Sequence, residues 1–237
     1  MSQKRDDLER KAALELTKQR CRIILLLEAL ERAAVTPIAA RRLHGFAYLA
    51  DVLSPVWGLP PFDGKILKIV DGPHYTDLQR ELDFLVILGM VNVRNLQYVQ
   101  RGKSGARIDG KYELRFESSA LEKVLEALGA RKEIDPLDPR DREQHAYLVE
   151  LAGAMATLPD DEIDVAAMQD ATYASSDTSF SNIIDFGEWT RNIRQSNKSF
   201  AVARRFNKFI PKESNLSPGE RIYLYASYLG HRIRYAN

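Results

Sequence analysis

The sequence predicts a mainly helical α+β chain. Three observations predict it. Apolar residues recur at helical spacing in three N-terminal segments, residues 91–116 alternate with period two around a glycine-rich turn, and the chain beyond residue 142 returns to helical patterning. With 45% hydrophobic and 28% charged residues, a wholly disordered chain is excluded, and 237 residues suffice for one large domain or two small ones.

The first helix carries a charged lead-in over residues 2–20, and its core spacing runs through Leu16, Ile23, Leu27 and Leu30. It should stop near Ala34, because Thr36-Pro37 disfavours helical continuation. A second helix is expected from about Ala39 to Leu53, burying Leu43, Ala47, Ala50 and Leu53. The Pro/Gly-rich stretch Trp57–Gly64 reads as loop and Ile66–Val70 as a short strand. Thr76-Asp77-Leu78-Gln79 has the spacing of a capping box. The helix it would open turns Leu78, Leu82 and Leu85 inward and ends at Gly89. Val91–Val99 and Lys111–Phe116 alternate across a turn holding Gly102, Gly105 and Gly110, which is a two-stranded hairpin.

This arrangement predicts an N-terminal winged helix with a two-stranded wing. Ser118 or Ser119 should cap a helix to about Leu128, and Asp135-Pro136-Leu137-Asp138-Pro139 reads as a linker. The expected division is a winged-helix domain over 1–133 and a helical domain over 134–237. Helices are expected at about 142–156, 160–171, 186–206 and 217–234. The last has Ser217 at the cap, Pro218 at the first position and Glu220 three residues on.

The motifs that spell chemistry lack their context. Gly102-Lys103-Ser104 has Gln97 where a phosphate loop needs glycine, and a strand follows it where a helix is required. Asp185-Phe186-Gly187 spells a kinase metal-binding tripeptide without the glycine-rich loop, strand lysine or catalytic loop that accompany it. Asp160, Asp161, Glu162 and Asp164 fall in the first turn of a predicted helix, where acids complement the dipole. His44, His74, His145 and His231 are isolated from one another, and Cys21 is the only cysteine, so no metal site or internal disulfide is expected. The expectation is therefore no catalytic residues, no cofactor and no enzyme. The longest apolar run, Phe84–Val91, is too short for a bilayer and the N-terminus is charged throughout, so a cytoplasmic chain without membrane contact is expected.

Charge distribution says more than the net of +1. Residues 134–189 hold thirteen acids and two bases, whereas residues 190–212 hold seven bases and no acid. Arg191, Arg194, Lys198 and Arg205 fall on one face if that segment is helical. They form a candidate surface for phosphates or for an acidic partner, or they match the acidic segment internally. The hairpin carries a second candidate set, Arg101, Lys103, Arg107 and Lys111. Residues 76–89 instead have Asp77, Glu81 and Asp83 against Arg80 alone, which opposes entry of that helix between two rows of phosphates.

Thr36-Pro37-Ile38, Arg42-Leu43-His44, Tyr48-Leu49, Gly72-Pro73-His74-Tyr75, Asp77-Leu78, Leu82-Asp83-x-Leu85 and Gly89-Met90-Val91 follow in this order. Over about residues 20–116 the chain thereby resembles the winged-helix core of YwgA-like proteins and Panacea-type antitoxins. With its acidic-then-basic helical second half it also resembles the middle components of ABC-three-component and Lamassu-type bacterial defence systems. That resemblance implies a non-enzymatic accessory subunit bridging an ABC or SMC-like (structural-maintenance-of-chromosomes) ATPase and an effector protein. DNA would then be met through the complex and largely without sequence preference. The alternative expectation is a free-standing winged-helix DNA-binding regulator or antitoxin.

Overall fold

The computed structural model describes residues 2–62, 64–100, 106–128, 139–186, 197–211 and 215–235. The chain is mainly helical with two small antiparallel sheets. In chain order the elements are α1 (Ser2–Arg32), β1 (Ile38–Ala39), α2 (Ala40–Leu53), β2 (Lys65–Ile69), β3 (Gly72–His74), α3 (Thr76–Ile87), β4 (Val91–Gln100) and β5 (Ala106–Leu114). They continue with α4 (Leu121–Ala127), α5 (Pro139–Met155), α6 (Asp160–Gln169), β6 (Asn182–Asp185), α7 (Lys198–Arg205) and α8 (Pro218–Tyr235).

Helix α1 ends before the Thr36-Pro37 stop. Ala34 takes a left-handed conformation (φ 57°). The amide of Ala34 then donates to the Glu31 carbonyl at 2.9 Å and that of Val35 to Leu30 at 2.9 Å, so two orphan carbonyls are satisfied within the chain itself. Helix α3 closes the same way at Gly89 (φ 69°), with Gly89 N–H on Val86 O and Met90 N–H on Leu85 O. Its start departs from expectation. Tyr75 is the cap residue and no side chain caps the helix, so Thr76 and Gln79 form no capping box. Gln79 is engaged elsewhere, facing His44 Nε2 at 3.2 Å and donating to Asp83 at 3.0 Å. Nor do Ser118 and Ser119 cap α4; they belong to a 3-10 turn, and Ala120 takes the cap position. At α8 the expected box is present: Ser217 Oγ accepts from the Glu220 amide at 3.2 Å, and Glu220 accepts from the Ser217 amide at 2.7 Å.

The hairpin β4–β5 takes β1 as a third strand, in the order β1-β5-β4. Ile38, Val93 and Tyr112 share its inner face in register. The second sheet runs β3-β2-β6. Residues 66–70 were expected as a lone short strand, yet β2 is the centre of this sheet, with Ile66 opposite Ile184. The extended cap at Asn197 corrects the continuous helix expected over 186–206: residues 187–196 of that span lie outside the described residues, and the described helix begins at Lys198.

The expected division at 133/134 falls within residues 129–138, outside the described residues. On either side of it the packing is continuous. Buried residues from α1, α2, α3, β5, α5, α6, β6 and α8 form one hydrophobic cluster. Tyr147 of α5 donates to the Ala50 carbonyl of α2 at 2.7 Å, and Asn197 donates to Val52 O at 2.7 Å. Leu27, Leu30, Leu43, Leu82 and Leu85 are all sealed within this core. Leu82→Ala is expected to cost roughly 2–5 kcal/mol, the range for truncating a buried leucine. The urea midpoint measures it, and an unchanged midpoint would contradict the inward placement of Leu82.

Candidate functional site

The hairpin carries the first set of expected contact residues. Arg101 and Lys103 lie outside the described residues. Arg107 is placed in β5 opposite Val99, but its side chain lies outside what is described. Lys111 is exposed and stands directly opposite Arg94 on the outer face of the sheet. Like charges across a strand pair repel. Arg94 is relieved by Glu113, whose carboxylate lies 2.5 Å from its guanidinium, whereas Lys111 has no ion-pair partner among the described residues.

Helix α3 lies beside the hairpin and its solvent face is not basic. Arg80, its only base, is held by Asp77 at 3.0 Å and by Glu81 at 3.0 Å. Glu81 is shared with Arg20 of α1 at 2.8 Å, and that guanidinium lies 4.1 Å from the Phe84 ring. Asp83 is exposed, and the helix ends in two solvent-facing apolar residues, Ile87 (80% exposed) and Leu88 (46%). The face therefore runs from acidic to apolar over three turns.

The strip at 190–212 is divided. Arg191 and Arg194 lie outside the described residues. The continuous stripe from Arg191 to Arg205 is not formed, because Asn197 has extended backbone and caps a new helix by accepting the Phe200 amide at 2.8 Å. Lys198 stays exposed but is engaged within the chain, pairing with Asp177 at 2.8 Å and donating to Ser175 Oγ at 2.6 Å. Four acids of the 134–189 segment are answered from elsewhere. Arg42 of α2 clasps Asp160 and Asp164, Arg234 of α8 forks onto Glu162 at 2.6 and 3.1 Å, and Lys65 meets Asp185 at 3.3 Å. Internal matching of strip and acids thus holds for Lys198, whereas Arg204, Arg205 and Lys208 remain exposed.

The same segment carries an aromatic that docks on α8. Phe206 packs against Tyr225 and Tyr228 of α8 at 6.5 and 6.4 Å between ring centres, and the Arg232 guanidinium lies 5.8 Å from the Tyr228 ring. The four-residue spacing of Tyr228 and Arg232 was the available signal. Phe209, 84% exposed, stands at the end of the 3-10 turn that follows α7.

Inside the molecule, polar groups join elements. Glu28 of α1 is fully buried. It bonds His145 of α5 at 2.5 Å and Arg32. Burial pushes its carboxyl up, but these two partners outweigh burial and hold it below the usual carboxylate range. Among the described residues no group of three His, Cys, Asp or Glu side chains is placed to hold a metal ion. No described helix is long and apolar enough to cross a membrane. Compared with protein-family models, curated proteins and solved structures, the chain has no match.

Proposed function

We propose that the N-terminal part of this chain is a winged helix turned to protein docking. In this reading the chain is a non-enzymatic accessory subunit joining an SMC-like or ABC ATPase to an effector in a DNA-engaging complex. The order α1-β1-α2-β2-β3-α3-β4-β5, with β1 added to the hairpin, supports the winged-helix reading, β2 and β3 forming an insertion before α3. The observation that carries the docking role is the solvent face of α3. A base-reading helix must pass between phosphates and needs unspent positive charge. Here Arg80 is consumed by Asp77 and Glu81, and the exposed end is Ile87-Leu88. Adjacent exposed apolar residues rimmed by charge suit a protein interface. Basic residues on the hairpin and after α7 leave room for non-specific DNA contact once the subunit is held in a complex.

The test is co-expression of the tagged chain with the products of the genes adjacent to its own, followed by size-exclusion chromatography with light scattering. A stoichiometric assembly containing an ATPase is expected. The double variant Ile87→Asp, Leu88→Asp should weaken it by about tenfold or more, the loss of one interface hot spot, with its melting temperature unchanged because both positions are exposed. A monomer that takes up none of these proteins overturns the reading. A sequence-specific shift of the chain's own promoter at ~0.15 M salt would instead favour the regulator or antitoxin alternative.

A further inference from the structure

A cavity of about 380 Å³ opens beside β2, under the loop that links α6 to β6. Lys68, Tyr173, Ser176, Thr178, Ser179 and Phe180 line it. Lys68 is only 4% exposed. Its ammonium donates to the carbonyls of Ser175 at 2.8 Å and Thr178 at 2.7 Å, and it lies 5.1 Å from the Phe180 ring and 5.5 Å from that of Tyr173. Two of its three N–H groups are thereby used. Among the described residues no carboxylate lies within ion-pair distance of it; Asp177, the nearest acid acting on it, does so through space. Burial accordingly pulls the Lys68 ammonium below the usual lysine range, against the pull of Asp177.

A second cation stands behind the wall of the cavity. Arg41 Nη2 has a thioether as its partner, Met168 Sδ at 3.7 Å, and Met168 itself lines the cavity. Arg41 Nε is buried with no acceptor among the described residues, and its charge acts on the Tyr173 hydroxyl, with that of Asp71 acting the other way. The hydroxyls of Ser176, Thr178 and Ser179 make no hydrogen bond among the described residues. Ser175 is different, because its oxygen already accepts from Lys198 and from the Asp177 amide at 3.2 Å.

We propose that this cavity is a binding site for a phosphate monoester. Two cations without a carboxylate partner match a dianion better than a singly charged carboxylate. Three unengaged hydroxyls and a spare ammonium proton match the three terminal oxygens of a phosphate, each a strong acceptor. The rim explains the ester. Phe180 is 54% exposed and Val70 stands beside it, so a planar group carried by the phosphate finds an aromatic ring to lie on. A free nucleoside monophosphate and the 5′-phosphorylated end of a strand present the same chemistry. The site is independent of the docking face on α3.

Thermal unfolding of the full chain tests it, with inorganic phosphate set against sodium chloride at matched ionic strength. Phosphate also stabilises proteins generally by exclusion from their surface, so the readout is the difference between the native chain and Ser179→Asp. That substitution puts a like charge at an exposed position of the cavity and should leave the melting temperature in chloride unchanged. The native chain is expected to gain with phosphate, and Ser179→Asp to lose that gain. Arg41→Gln should lose part of it. A nucleoside 5′-monophosphate should bind about tenfold or more tighter than inorganic phosphate, the value of one stacked ring. A 5′-phosphorylated oligonucleotide that outcompetes its unphosphorylated form assigns the ligand to a strand end, and a tighter mononucleotide assigns it to the free ester. Equal phosphate gains in the native chain and in Ser179→Asp overturn the site and leave Lys68 as a clamp for its loop.

Discussion

Asp170→Ala is expected to lower the stability of the chain by roughly 3–5 kcal/mol, the cost of stripping a buried polar cluster of its shared charge. Asp170 is fully buried where α6 ends. One carboxylate oxygen accepts from the Tyr48 hydroxyl of α2 at 2.6 Å, from the Thr172 amide at 2.9 Å and from the Tyr173 amide at 3.0 Å. The other accepts from the Tyr225 hydroxyl of α8 at 2.7 Å. Three parts of the chain therefore converge on one side chain. Alanine leaves two phenols and the Tyr173 amide without this acceptor, while the Thr172 amide keeps only Ser199 Oγ at 3.1 Å. Burial, followed by the carboxylate itself, pushes both phenols well above the ordinary tyrosine range, so neither escapes the loss by ionising. The melting temperature should fall by roughly 10 °C for a chain of this size. Tyr225→Phe removes one donor and leaves the carboxylate its other three, and it should cost only about 1–2 kcal/mol. Equal, small losses for the two variants would show that Asp170 is not the hub.

What could be read from the sequence is what rests on local spacing. Leu27, Leu30, Leu43, Leu82 and Leu85 are buried as their helical periodicity predicts. The hairpin pairs as expected apart from a register shift between Arg94 and Gln97 and a second strand that begins at Ala106, taking in Gly110, and the Ser217-to-Glu220 box forms because nothing else among the described residues engages either side chain. The Thr76-to-Gln79 box has the same spacing and fails, because His44, distant in sequence, and Asp83, one turn further along α3, engage Gln79. Tertiary demand overrides the local motif there.

The candidate surfaces were legible only in part for the same reason. The acids at 160–164 do open a helix, but that position does not reveal that Arg42, more than a hundred residues earlier, closes on them. Strand β6 is four residues long and does not alternate in burial, and its partner β2 lies in the other half of the chain, so no local pattern announces it. Lys68 carries no motif. It becomes a candidate only once the loop after α6 folds back and places two carbonyls and two rings around its ammonium.

Arg22→Met should cost about 3–5 kcal/mol near neutral pH, and the loss should shrink on acidification. Arg22 and Asp51 form a buried pair between α1 and α2 at 3.1 Å, with the guanidinium 5.1 Å from the Phe62 ring and 5.4 Å from that of Tyr75. Asp51 also accepts from the Tyr75 hydroxyl at 2.6 Å and the Phe62 amide at 2.7 Å. Burial raises its carboxyl above the ordinary aspartate value, and Arg22 is the strongest influence working the other way. A folded-state pKa above the unfolded one means that the folded chain binds the proton more tightly. The stability this contributes is present below the unfolded pKa and is lost as pH rises through the folded pKa. Methionine keeps the bulk and removes the opposing charge, so Asp51 should rise further and the window of lost stability extend upward. Urea midpoints at about pH 7.5 and about pH 5 measure this, with the deficit of Arg22→Met expected to be smaller at the lower pH, because acidification favours the proton that a buried, unpaired Asp51 binds more tightly than the unfolded chain does. Adding Asp51→Asn to the same chain removes the titrating group, and the difference between the two pH values should go with it. A deficit of equal size at both pH values would mean that Asp51 does not titrate in this range and that Arg22 acts there through packing alone.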